Sequence, residues 1–158
     1  MKRIVLISLF VLIAFFVSII LHEVLFFRPS DKTYMKMISE DFDLYDVIDS
    51  LRITGKDMVA SRDYSYYAEA YIVDFDKFNE SLLDSEYAIR DSAKKNTILR
   101  YLKAYENVLK WCESMLDSAQ SGGVVYLHTF GNQEKGNYKF SVMVVDEKEK
   151  VLQYFKLE

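Results

Sequence analysis

Cysteine and proline each occur once in this 158-residue chain, glycine five times and histidine twice. The lone Cys112 excludes an internal disulfide, so any fold must be held by packing alone. Pro29 and so few glycines leave little room for a long flexible linker, and no internal repeat or low-complexity stretch occurs. Basic residues are in the minority. Setting aside Lys2, Arg3, Arg28 and Glu23, residues 29–158 carry 17 basic and 23 acidic side chains, a formal charge of −6. That balance argues against a nucleic-acid partner, which needs a clustered Lys/Arg footprint. Gly122-Gly123 is no phosphate cradle, because it follows a helical pattern and precedes a strand, the reverse of a phosphate loop. No cofactor motif is present and none is expected.

Against these absences stands one long apolar run. Ile4 to Leu21 is relieved only by Ser8, Ala14 and Ser18, and as a helix it would reach about 27 Å, close to the ~30 Å hydrocarbon core. Lys2 and Arg3 precede it, while His22, Glu23 and Pro29 follow. Ala14 pairs with Phe16 and Ser18 with Ile20 at the spacing of a signal-peptidase site, so cleavage is not expected. The sequence therefore predicts an uncleaved signal-anchor over 1–28, with residues 4–27 in membrane lipid and a domain over 29–158. The short basic tail predicts a single-pass protein with a cytoplasmic N-terminus and its C-terminal domain outside the cytoplasm.

Within the domain, Leu44, Val47, Ile48 and Leu51 follow helical spacing and predict a short amphipathic helix stopped at Thr54-Gly55. Tyr64 to Phe75 alternates and reads as a strand. Ile98, Leu102, Tyr105, Leu109, Cys112, Leu116 and Ala119 form a four-three seam. A single helix from Leu82 to Gln120 would be ~58 Å long, so a break is expected between Asp84 and Asn96. VVYLHTF, YKFSVMVV and VLQYFKL predict a three-strand meander, with one face against the long helix and the other partly wet. The expected fold class is α+β: a transmembrane helix, a short amphipathic helix, then a four-stranded antiparallel sheet (strand, long helix, three-strand meander) packed on helix.

Catalytic chemistry is thin. Cys112 and His128 form a nucleophilic pair only in name, since Cys112 lies on an apolar seam and His128 on a strand with Tyr126 and Phe130. Asp41 and Asp43 form one carboxylate pair, Asp74 and Asp76 another. Neither has calcium-loop spacing, and both read as solvated acids at element ends. No catalytic or metal-ligating residue is expected. Tyr64, Tyr66, Tyr67 and Tyr71 crowd one strand, the first two on one face and the others on the opposite face, and form the candidate protein-binding surface. The expectation is a membrane-anchored, non-enzymatic protein-binding or accessory domain with a protein partner. The alternatives are a carboxylate-dependent hydrolase and a small subunit of a membrane complex acting through its anchor.

Overall fold

A computed structural model describes residues 11–18, 29–60, 64–83, 85–105, 111–130 and 139–157. Of the expected anchor over 1–28, only 11–18 are described; they are helical and would extend about 12 Å. No helix among the described residues is long and apolar enough to cross a membrane. This corrects the expected transmembrane helix, and with it the single-pass membrane placement and the exported domain. Apolar content was its warrant, and the described part of the run, residues 11–18, is shorter than the roughly 20 helical residues a span needs. The remainder of the run lies outside the described residues.

The chain from Ser30 builds an α+β fold around five strands. Ser30 caps helix α1 (Asp31–Phe42) by accepting from Thr33 N, and Asp43 closes it in the left-handed conformation. A 3-10 turn, Tyr45–Ser50, leads into β1 (Leu51–Ala60) and β2 (Tyr64–Ile72). Helix α2 (Phe75–Leu82) starts at the cap Asp74, whose side chain accepts from Lys77 N. Then come α3 (Ser92–Tyr105), α4 (Trp111–Gln120), β3 (Val124–Phe130), β4 (Lys139–Asp146) and β5 (Val151–Leu157). The sheet order is β1-β2-β5-β4-β3, antiparallel at every neighbour.

The sheet has five strands rather than the four expected. The missed strand, β1, begins where the amphipathic helix was expected to end, and its ladder shifts register between Ile53 and Gly55. That bulge breaks the period-two pattern, and exposed Thr54, Lys56 and Asp57 hide the rest. Charges and a bulge are how edge strands resist wrong pairing, and β1 is an edge. The expected helix over 44–51 is a 3-10 turn: Leu44 and Val47 are buried, but Leu51 already belongs to the strand.

The expected one-sided sheet is covered on both faces. On the first face, Tyr34, Ile38 and Phe42 of α1, Val47 of the 3-10 turn, and Phe78 and Leu82 of α2 meet Ala68, Ala70, Tyr126, Met143, Val145, Leu152 and Tyr154. On the second, Ile98, Leu102, Trp111, Cys112, Met115 and Leu116 meet Tyr67, Val125, Val142, Val144, Phe155 and Leu157. Burial of both faces explains why β4 reads as the near-continuous apolar run Val142–Val145. The expected break between Asp84 and Asn96 is present, since α2 ends at Leu82 and α3 begins at Ser92, and the helix expected beyond it is described as two, α3 and α4. Residues between α2 and α3 run extended enough for Ala88 to bridge Tyr126 at the β3 edge. Asn96, Leu99 and Lys103 line one groove with Leu116 and Gln120, so α3 and α4 lie side by side.

Candidate functional site

Three groupings stand out, the first two positioned by strand alternation and the third by two neighbouring helices. The first centres on Asp41, expected to be solvated but only 6% exposed. Period-two alternation points Ser141, Tyr154 and Lys156 at the first face of the sheet, beneath the last turn of α1. Ser141 Oγ and Tyr154 Oη (2.6 Å) both donate to Asp41 Oδ2, and Lys156 Nζ lies 3.2 Å from Oδ1. A carboxylate near a helix C-terminus opposes the helix dipole, and burial adds a desolvation cost. One ammonium and two hydroxyls offset both. Lys156 Nζ also stands 4.8 Å above the Phe130 ring. Both oxygens of this carboxylate are engaged, and Ser141 is fully buried.

His128 is the cross-strand neighbour of Ser141 on the same face, between the rings of Tyr87 (5.2 Å) and Phe130 (5.5 Å). Its Nδ1 is buried and meets no hydrogen-bond partner among the described residues. Tyr87 Oη donates to Asp43 Oδ2 at 2.8 Å, and this bond, with burial and the nearby negative charge, pushes the Tyr87 phenol up to about 12. Burial first, then the charge of Glu147, likewise pushes Tyr126 up to about 12.

The second grouping lies on the opposite face. Gln153 Nε2 donates to Ser114 Oγ of α4 at 2.7 Å and reaches Glu69 Oε2 at 3.4 Å. Tyr67 Oη donates to Glu69 Oε2 at 3.3 Å, and its ring stacks on Trp111 at 4.5 Å. Burial, then the adjacent Glu69 carboxylate, raises the Tyr67 pKa far above its ordinary value. Beyond Ser114, a shallow groove of ≈ 430 Å³ runs past Glu113, Asp117, Ser118 and Ser121.

The third lies between the two helices covering that face. Leu99 and Leu116 lie in a groove of ≈ 530 Å³ rimmed by Asn96, Arg100, Lys103 and Gln120. Helix α3 carries Lys94, Lys95, Arg100 and Lys103 and no acid, in a chain whose net charge is −4. Lys95 Nζ is held by the Gly123 carbonyl at 3.1 Å, whereas no acid among the described residues pairs with Arg100 or Lys103. The individual cations are plain in the sequence, but the whole-domain charge masks their gathering on one helix.

The sequence-derived candidates are scattered by this geometry. Cys112 is buried in the second core and His128 lies on the first face, so the sheet separates them. Asp43 and Asp74 end or begin helices, and Asp76 lies in the first turn of α2. Of the four tyrosines, Tyr67 is buried, Tyr66 is half-buried against Tyr34, and Tyr71 is 42% exposed. The Tyr64 side chain lies outside the described residues. Among the described residues, no three His, Cys, Asp or Glu side chains converge in a way that could hold a metal ion.

No family model, curated protein or solved structure matches the chain, so the functional reading rests on these residues and their geometry.

Proposed function

We propose that this domain is a non-enzymatic protein-binding module and that the α3–α4 groove is its recognition surface. The observation that carries the reading is the pairing of the half-buried Leu99 with two exposed cations, Arg100 and Lys103, that no acid among the described residues pairs, at an open surface. Interfaces of this kind join an apolar centre to a charged rim that steers and orients the partner. The buried polar groups support the same reading, because Asp41, Ser141, Tyr154 and Lys156 bind one another and hold α1 on the sheet.

The test is photocross-linking in the cell that makes the protein. A photoreactive residue replaces Gln120, an exposed groove residue, or Tyr45, which is 60% exposed at the start of the 3-10 turn. A discrete protein adduct is expected from position 120 and not from 45. Absence of any site-dependent adduct, together with a hydrolytic activity lost in Asp43→Asn, would replace this reading with an enzymatic one.

A further inference from the structure

We infer that the groove between α3 and α4 receives an acidic amphipathic helix of the partner protein, an inference that rests on the protein-binding reading above. The α3 side of the groove runs from Asn96 to Lys103, about two helical turns, and matches two turns of an incoming helix. Leu99 is half-buried above the buried Leu116, so the apolar surface left open is that of Leu99, and an amphipathic helix with apolar side chains at i, i+3 or i+4, and i+7 would cover it.

Arg100 and Lys103 are three residues apart on one side of α3 and both are exposed. Carboxylates flanking the apolar stripe of a docked helix would reach them, completing ion pairs that the described residues do not supply. Charge complementarity thus selects an acidic helix over a basic one.

A polyanion such as single-stranded nucleic acid fits less well. The groove lining holds no aromatic platform for stacking, its floor is leucine, and residues 29–158 carry a net −6.

The experiment titrates the full chain, methyl-labelled at leucine, with four probes. These are a synthetic helical peptide with leucines at i, i+3, i+4 and i+7 flanked by glutamate, its scrambled isomer, its lysine-for-glutamate counterpart, and a single-stranded oligonucleotide. The glutamate peptide should shift the Leu99 and Leu116 methyl signals and bind more weakly as salt rises. The double variant Arg100→Glu/Lys103→Glu should bind it about tenfold more weakly and gain affinity for the lysine peptide. Both positions are exposed, so the variant should stay folded. Its urea midpoint should fall only slightly below the parent's, because Lys103→Glu places a carboxylate in the last turn of α3, and a cooperative transition excludes misfolding as the cause. Equal binding of the scrambled isomer or of the oligonucleotide would overturn the inference, as would binding without methyl shifts or no binding at all. A surviving adduct from position 120 beside a failed peptide titration would reject the acidic helix while leaving the protein-binding reading in place.

Discussion

The two faces of the sheet are closed by different physics. On the first face, α1 is fixed by directional bonds as well as by area. Asp41 binds three groups on β4 and β5, Tyr34 Oη donates to the Asp57 carbonyl at 2.6 Å, and Lys56 meets Asp31 at 2.6 Å. On the second face, α3 and α4 are held mainly by apolar packing around Leu102, Cys112 and Met115, with Gln153–Ser114 as one polar tether. Apolar packing tolerates adjustment, whereas a buried carboxylate accepts only an arrangement that supplies its partners. A region that fixes the register of a helix and a region that presents a groove therefore lie back to back across one sheet.

The sharpest way to break this comparison is to remove the carboxylate. Asp41→Ala removes the ion pair to Lys156, whose side chain is 12% exposed, and the shared acceptor of the Ser141 and Tyr154 hydroxyls. It should cost about 3–5 kcal/mol, read from the urea midpoint. Leu102→Ala on the other face should cost about 2–5 kcal/mol through cavity formation. Because the sheet lies between them, the double variant should be additive to within about 0.5 kcal/mol if it still folds. A larger coupling would show that the faces are not independent.

A smaller effect is expected at Cys112, which is fully buried. Cys112→Ser should cost about 1–3 kcal/mol, and the native thiol should react with a bulky maleimide far more slowly than in denaturant.

The smallest concerns the tyrosine that ties the segment before α3 to Asp43. Tyr87→Phe should cost about 0.5–1.5 kcal/mol at neutral pH. The folded Tyr87 pKa is raised to about 12 from the ordinary value of 10.0, so the folded state holds that proton more tightly. The contribution is therefore complete below pH 10 and declines as pH rises from about 10 through 12, with Tyr126 acting in the same direction. Urea midpoints across that window, followed with tyrosinate absorbance, should show a loss that is smaller in Tyr87→Phe.

How much of this is legible in the sequence follows from the range of each cue. Alternation at Tyr138, Phe140, Val142 and Val144 is local, and β4 spans Lys139–Asp146. β1 was hidden because a bulge at Ile53/Gly55 resets its faces and its edge position demands polar residues. The Asp41 cluster was hidden for another reason: its partners lie 100 to 115 residues away, so the DFD triplet looks like any solvated helix end. One clue was present, since Ser141 is a lone hydroxyl in the core of an apolar strand and Lys156 shares its face. The apolar run from Ile4 carried the membrane reading on composition alone, and no helix among the described residues is long and apolar enough to cross a membrane. The tyrosine surface rested on alternation alone, which cannot say that Trp111 would stack on Tyr67.

On the proposed function, the first face holds the fold and the second face receives the partner. Stability and partner adduct formation measured together on two variants test it most directly. Both variants carry the photoreactive residue at position 120, in the chain as the cell makes it. Arg100→Glu/Lys103→Glu should stay folded, with a urea midpoint close to the parent's, and lose the adduct. Asp41→Asn should lower the midpoint by about 1–3 kcal/mol of stability, yet retain the adduct wherever the protein is folded. The opposite pattern, with the adduct surviving charge reversal on α3 and vanishing in folded Asp41→Asn, would contradict the account and place the functional chemistry at the buried carboxylate.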